Sequence, residues 1–265
     1  MSASIYYFSG TGNSYRIAKA VSSGLEDAKL INIAAQQNRE SSHTSNVIGI
    51  VFPLYYFGLP VIVENFLRQL NIPENSYVFI IVTRGVSMAG GAKRQLDTVF
   101  HAKSRTYHFF RYITMGNNYP FHALNGSTEK MRGQKNQKAD EKVAALLSNI
   151  RSKKRSRTYS IVDYPPFPAI TLRLPIYGYR YFLQKVYKRD SCFVVDETLC
   201  NKCKKCERAC PVDNVEVHSK VVWKHESCEV CLACYNCCPQ NAVQYIDPPN
   251  KVSTHGKRQY WNFIL

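Results

Sequence analysis

Apolar runs alternate with amphipathic stretches along the first 150 residues of the chain. Short runs rich in Ile, Val, Phe and Tyr predict β-strands at residues 3 to 8, 29 to 33, 47 to 52, 77 to 83 and 107 to 115. Apolar residues with helical spacing predict helices near residues 13 to 24, 60 to 70, 90 to 101 and 127 to 150. Strands that alternate with helices predict a parallel sheet covered on both faces. A region of about 150 residues is large enough to bury its own core.

The turn after the first predicted strand has a composition suited to an anion. It consists of Ser9, Gly10, Thr11, Gly12, Asn13 and Ser14. The turn opens a predicted helix, so backbone N–H groups and the positive helix end point to one place. It has neither the lysine of a P-loop nor the G-x-G-x-x-G spacing, which disfavours a nucleoside triphosphate. Amides and hydroxyl groups suit a terminal phosphate monoester, whereas the alternative is an ordinary strand-to-helix turn.

Eight of the ten cysteines form two runs of the same pattern, C-x2-C-x2-C-x3-C-P, which is typical of iron–sulfur ligands. The runs are Cys200, Cys203, Cys206 and Cys210, followed by Cys228, Cys231, Cys234 and Cys238. The fourth thiolate of each run is expected to point away from its own three and to serve the other cluster. One predicted [4Fe-4S] cluster is therefore bound by Cys200, Cys203, Cys206 and Cys238. The second is bound by Cys228, Cys231, Cys234 and Cys210.

Cysteines at such spacings have two other common uses, in structural zinc sites and in disulfides. Structural zinc sites take two ligands from each of two knuckles and need neither the triples nor the following proline. Disulfides need an oxidising compartment, and the opening MSASIYYFSG lacks the features of a secretory signal, so we expect reduced, metal-bound cysteines in the cytoplasm. Cys237 could compete for iron through its spacing from Cys234, although a small buried thiol is favoured, and Cys192 has no assigned chemistry.

The turn from Ser9 to Ser14 resembles the phosphate loop of flavodoxins, which binds the ribityl phosphate of FMN. This resemblance implies a five-stranded parallel sheet of order 2-1-3-4-5, with FMN outside the carboxyl ends of the strands. It further implies that Tyr55 or Tyr56 lies against the isoalloxazine ring, with Phe57 as a third aromatic candidate. The remaining candidates, in loops after later strands, are Pro53, Gly58, Thr83, Gly85, Gly90, Gly91, Asn117, Asn118 and Tyr119.

As a whole, the chain resembles the flavodoxin/ferredoxin fusion proteins. The resemblance implies a flavodoxin-like domain at residues 1–150, a connector at 151–190 and a small α+β bacterial 2[4Fe-4S] ferredoxin-like domain at 191–265. The last is too short to fold without its clusters. The implied function is electron transfer between two [4Fe-4S] clusters and FMN, which couples one-electron carriers to a flavin. The alternative is an FMN-dependent reductase of a small organic acceptor, fed by its own ferredoxin domain.

No catalytic residue is assigned, because His101, His108 and His122 are isolated candidates near the expected flavin edge. The chain has a net charge of +16, and residues 101–190 hold eighteen basic and five acidic residues. The basic, aromatic connector has three interpretations: a structured connector, a docking face for an acidic redox protein, or peripheral contact with anionic lipid through residues 151–189. No motif for specific nucleic-acid binding accompanies the charge, no segment is apolar enough to span a bilayer, and the oligomeric state stays open.

Overall fold

The computed structural model describes residues 2–36, 45–86, 91–118, 129–157, 192–224, 227–247 and 251–252. The chain forms two compact units, which are described separately: a sheet unit, which contains the parallel sheet, and a cysteine unit, which contains the cysteine runs. Within the described ranges, no helix is long and apolar enough to cross a membrane. Most of the predicted connector lies outside the described residues, so its bounds and its three interpretations remain predictions.

The sheet unit alternates strands with helices, as the hydrophobic pattern predicted. Its strands are β1 (Ala3–Tyr7), β2 (Ala28–Asn32), β3 (Val47–Pro53), β4 (Tyr77–Arg84), β5 (Phe109–Thr114) and β6 (Ser156–Arg157). Its helices are α1 (Asn13–Ser23), α2 (Val61–Gln69), α3 (Ala92–Ala102) and α4 (Glu129–Arg151), with a 3-10 turn at Ile33–Gln36. The predicted strands and helices are all present, with ends displaced by two residues at most.

The strand order among the described residues is β2-β1-β3-β4-β5-β6, and all neighbouring strands are parallel. The order of the first five strands confirms the flavodoxin-like prediction. The number of strands is corrected from five to six, because β6 pairs with β5. The Arg111 guanidinium donates to the carbonyl of Ser156 at 2.9 Å and to its hydroxyl at 2.8 Å. A strand of two residues is too short to leave a periodic signal in the sequence.

The sheet is covered on both faces, because neighbouring residues of β1 face opposite layers. Ile5 belongs to a buried cluster with Ile17 of α1 and Val143 of α4, whereas the Tyr6 ring lies 4.9 Å from the Phe66 ring of α2. The central strands β3 and β4 are almost continuously buried, as expected of a parallel sheet between helical layers.

The cysteine unit has an α+β fold, as predicted, with short antiparallel strands and short helices. Its elements are β7 (Phe193–Val195), α5 (Lys205–Arg208), β8 (Val215–Val217), β9 (Val221–Trp223), α6 (Ala233–Cys237), β10 (Val243–Asp247) and β11 (Lys251–Val252). Strand β10 pairs with β7 and β11, and β8 pairs with β9. The Phe193 ring stacks on Trp223 at 6.1 Å and meets Tyr245 edge-on at 5.7 Å, which gives this small unit an aromatic core.

Candidate functional site

The candidate phosphate loop lies between β1 and α1. Gly12 has φ 91°, in the left-handed region that glycine adopts without strain. Helix α1 begins directly afterwards at Asn13, so its positive end faces the loop. The Ser14 and Thr83 hydroxyl groups are buried and 2.8 Å apart. The Asn118 side-chain amide donates to the Thr11 hydroxyl at 2.9 Å. The loop is thereby fixed by hydroxyl and amide groups rather than by charge.

Hydrogen bonds join the segments that follow β3 and β5 to the end of β4. The Leu54 amide donates to the Thr83 carbonyl at 2.8 Å, and the Met115 amide donates to the Arg84 carbonyl at 2.9 Å. The Asn13 side-chain amide donates to the Gly116 carbonyl at 2.9 Å. Because the strands are parallel, their carboxyl ends share one edge of the sheet. The structure therefore brings the start of α1 and the ends of β3, β4 and β5 together at this edge, and Gly90 and Tyr119 lie outside the described residues.

The aromatic loop after β3 is a tight turn closed by a bridge between Tyr55 and Gly58. Tyr56 and Phe57 both have positive φ, 47° and 60°, which is costly for bulky residues and is typical of functional loops. The Tyr55 ring packs edge-on against buried Phe8 at 6.1 Å, whereas the Phe57 side chain is 43% exposed. Tyr55 is thus anchored on the core, and Phe57 is presented at the surface.

Gly91, at the start of α3, supports this aromatic turn through close backbone contact. It has φ 104°, and a Cβ atom at this position would lie only 2.1 Å from the Phe57 carbonyl oxygen. On the other side of the turn, the Leu59 amide donates to the Gln95 side-chain oxygen at 2.8 Å. Only glycine therefore allows α3 and the aromatic turn to approach this closely.

Arg84 lies between the candidate residues Thr83 and Gly85, but the sequence gave it no role in the site. Its guanidinium lies 4.5 Å from the centre of the Tyr112 ring, and its Nε donates to Thr114 Oγ1 at 3.5 Å. The signal that could have found it is a basic residue directly after an apolar strand. Arg84 adds a positive charge to the carboxyl edge of the sheet.

The expectation that His108 lies near the flavin edge is wrong. His108 precedes β5 and therefore lies at the amino edge of the sheet, opposite the candidate loops. Its Nδ1 accepts from the Val78 amide at 3.0 Å, and its ring stacks on Tyr77. Burial lowers the pKa of His108, and Arg155 and Arg157 lower it further. His108 is a structural residue. His101 lies in the last turn of α3, and His122 lies outside the described residues.

The first group of thiols lines a small cavity that is partly open to solvent. The cysteines that line this cavity are Cys200, Cys203, Cys206 and Cys238. Burial raises the pKa of Cys206 to about 11, and the nearby Cys238 and Cys203 thiols also disfavour its charged form. A group of thiolates in this place would need positive iron to offset their repulsion.

The second group of thiols combines the second run with the last cysteine of the first. Cys234 interacts with Cys231, Cys228 and Cys210. Burial, and then these neighbouring thiols, raise the pKa of Cys231 and Cys234 well above the ordinary range. Among the described residues, no three His, Cys, Asp or Glu side chains form a group that could hold a single metal ion.

The two cysteine runs have equivalent backbone geometry. Lys202 and Lys204 have φ 56° and 60°, and the matching residues of the second run, Val230 and Leu232, have φ 49° and 63°. The Asn214 amide donates to Cys210 Sγ, and the Ala242 amide donates to Cys238 Sγ, both at 3.2 Å. Amide groups that donate to sulfur stabilise thiolates and tune iron–sulfur clusters.

The two cysteines outside the pattern are both buried. The Cys237 thiol donates to the Cys234 carbonyl at 3.4 Å, and Cys237 is not among the residues that line the cavity. The Cys192 carbonyl accepts from the Ile246 amide at 2.7 Å, which ties the start of β7 to β10.

Residues 193–216 match a known family, the 4Fe-4S binding domain. This segment is similar to domains that bind a [4Fe-4S] cluster. The match includes the first cysteine run and ends before the second. The flavodoxin-like sheet and this iron–sulfur segment together confirm the two parts of the predicted fusion. The assignment of individual cysteines, and of the loop residues, to cofactors remains a prediction.

No curated protein matches the chain. Solved structures similar to it include a flavodoxin from Archaea, with 15% identity over 56% of this chain and 99% of that chain and a TM-score of 0.35. A Streptococcus pneumoniae flavodoxin has 17% identity over 55% and 99%, with a TM-score of 0.34. An FMN-dependent NADH-azoreductase from Bacillus anthracis, in complex with FMN, has 9% identity over 56% and 100%, with a TM-score of 0.35. The fold assignment rests on the strand order rather than on these likenesses.

Proposed function

We propose that this chain is an electron-transfer protein that passes electrons between two [4Fe-4S] clusters and FMN, and so couples one-electron carriers to a flavin. The observation that carries the proposal is the crossed arrangement of thiols. Cys238 of the second run lines the cavity of the first group, and Cys210 of the first run is among the thiols that raise the pKa of Cys231 and Cys234. Crossed fourth ligands are typical of proteins that hold two clusters as one unit.

The residues at the carboxyl edge of the sheet fit FMN. The start of α1, the turn at Gly12 and the Ser14 hydroxyl would hold its phosphate, in a neutral loop suited to a monoester. The exposed Phe57 ring would contact the isoalloxazine, and Arg84 would favour negative charge at this edge. When bound, FMN supplies chemistry that the chain lacks, because it accepts one or two electrons whereas each cluster exchanges one.

The first test is a count of cofactors in protein purified without oxygen. The proposal predicts about eight iron atoms, about eight sulfides and about one FMN per chain. In a stepwise titration with dithionite, the absorbance of the flavin and that of the clusters should decrease together. Zinc in place of iron, or clusters without flavin, would overturn the proposal.

An FMN-dependent reductase of a small organic acceptor is the second candidate. The 43% exposure of Phe57 is compatible with it, because an exposed ring at this loop leaves room for a small acceptor as well as for a protein. The reductase and the electron carrier differ in whether they turn over a small organic acceptor. Repeated oxidation of the reduced holoprotein by a quinone or an azo dye, saturable in the acceptor, would favour the reductase. Electron exchange with carrier proteins alone would favour the carrier.

A further inference from the structure

The matching turn positions of the two cysteine runs carry different side chains. Lys202 and Lys204 occupy the positions that Val230 and Leu232 occupy in the second run, with nearly the same positive φ. The backbone therefore does not select lysine, since the same turn accepts Val and Leu. The choice of lysine in one run and of Val and Leu in the other must therefore reflect the surroundings of each group of thiols.

The two groups of thiols also differ in solvent exposure, and this difference follows the difference in side chains. Around the second group, Val230 is 6% exposed and Leu232 is 4% exposed, and Cys231 and Cys234 are buried. Around the first group, Cys203 is exposed, as are Lys202 and Lys204. One thiol group is therefore enclosed by apolar residues, and the other reaches the surface of the protein.

Three lysines, Lys202, Lys204 and Lys205, line the cavity of the first group, and we call them the lysine collar. None of the three forms an ion pair among the described residues. The first acidic residue after the three lysines, Glu207, accepts from the Val217 amide at 2.7 Å. Exposed cations without internal partners add little to stability, but they attract an approaching anionic surface.

We propose that the lysine collar docks an acidic one-electron carrier protein, and that the first cluster is the one that exchanges electrons with it. This inference rests on the function proposed above. In the exchange, the reduced centre of the carrier loses one electron and the first cluster gains it, with no proton or bond transferred. Charge complementarity identifies the partner, because a protein surface steered by lysines must be acidic.

Charge reversal tests the collar in the holoprotein. The variant K202E/K204E is compared with K138E/K142E, which makes the same change at two exposed lysines of α4. The probe is a reduced, acidic bacterial 2[4Fe-4S] ferredoxin, mixed with oxidised holoprotein by anaerobic stopped flow. We expect the collar variant to lose at least about tenfold in second-order rate constant at low salt, and the α4 variant less than about threefold. The dissociation constant of the oxidised pair, measured by calorimetry, should rise in parallel.

The salt dependence of the rate constant distinguishes a loss of electrostatic steering from damage to the protein. At about 1 M salt, where the Debye length is about 3 Å, the rates of wild type and K202E/K204E should converge. The neutral variant K202Q/K204Q should fall between the two at low salt. A loss that persists at high salt, or an equal loss in both reversal variants, would overturn the inference.

Iron and flavin counts keep the two proposals apart. A wild type without two clusters and FMN contradicts the proposed function. Fully loaded variants that exchange electrons as fast as wild type contradict only the collar. Binding to phosphatidylglycerol vesicles that is lost in K202E/K204E, with electron exchange unchanged, would assign the collar to a membrane surface and would also overturn the inference.

Discussion

The Ser14 and Thr83 hydroxyl groups lie 2.8 Å apart in the protein interior and join the start of α1 to the end of β4. The substitution Thr83→Val keeps the side-chain shape and removes the partner of the Ser14 hydroxyl. We expect the free energy of unfolding to fall by about 1–2 kcal/mol. FMN affinity should fall by about tenfold, as a loss of about 1.4 kcal/mol implies. Fluorescence titration with FMN and urea unfolding measure the two effects.

The matched control for this prediction is Thr98→Val. The Thr98 hydroxyl is exposed on α3 and donates to the Arg94 carbonyl at 3.0 Å. We expect FMN affinity to stay within about twofold of wild type, because an exposed hydroxyl can be replaced by water. Equal weakening of FMN binding in both variants would show that the Ser14–Thr83 pair does not organise the phosphate loop.

The substitution Gly49→Ala should destabilise the sheet. A Cβ atom at Gly49 would lie 2.3 Å from Phe79 Cζ and 2.8 Å from Ile5 Cδ1, in a fully packed layer. We expect the variant to lose about 1–3 kcal/mol of stability through overpacking. The loss is measured as a lower urea midpoint, with the release of FMN as the signal for unfolding.

Two further variants check the cause of this loss. In Gly49→Ala combined with Phe79→Leu, the smaller side chain makes room, so the double variant should be more stable than the sum of the single effects predicts. Gly133→Ala, in α4, meets no atom within 4 Å and should be neutral or slightly stabilising. Additive losses in the double variant would refute the steric explanation.

Cys238 and Cys237 should respond differently to replacement by serine. Cys238 lines the cavity of the first thiol group, whereas the Cys237 thiol donates to a backbone carbonyl. We expect Cys238→Ser to lose about four iron atoms per chain and Cys237→Ser to keep about eight. Iron analysis and the electron paramagnetic resonance spectrum of the reduced protein measure the difference. Iron loss in Cys237→Ser with full iron in Cys238→Ser would reverse the assignment.

His108 should make the stability of the protein depend on pH. Burial lowers the pKa of His108 in the folded state, so below the ordinary value of about 6.5 the unfolded chain binds a proton that the folded chain does not. Its stabilising contribution is therefore complete above about pH 6.5 and decreases as the pH falls towards the lowered pKa.

Urea midpoints at about pH 7.5 and about pH 5.5 test this expectation. His108→Asn removes the titrating ring, so the variant should lose less stability between the two pH values than wild type. The control His101→Asn, at an exposed position in α3, should follow wild type. An equal pH response in wild type and His108→Asn would contradict the prediction.

The sequence alone was enough to predict the order of strands and helices along the chain in the sheet unit. Continuous apolar runs such as β4, and apolar residues at helical spacing such as Ile17 and Val21, are local signals that survive without tertiary contacts. The sixth strand gave no such signal, because Ser156 joins the sheet through Arg111, which is distant in sequence. His108 was assigned to the wrong edge although the predicted strand at residues 107 to 115 already placed it at the amino end, opposite the loop that follows the strand.

The sequence alone determined the ligand types and their spacing, since thiol groups at C-x2-C-x2-C-x3-C identify iron–sulfur chemistry in any context. Tertiary structure decided which thiols meet and how exposed they are. The two runs follow the same backbone path, but one is enclosed by Val230 and Leu232 while the other is open beside Lys202 and Lys204. The cysteine spacing is the same in both runs, and burial depends on packing between distant segments, so the spacing alone cannot distinguish the exposed thiol group from the enclosed one.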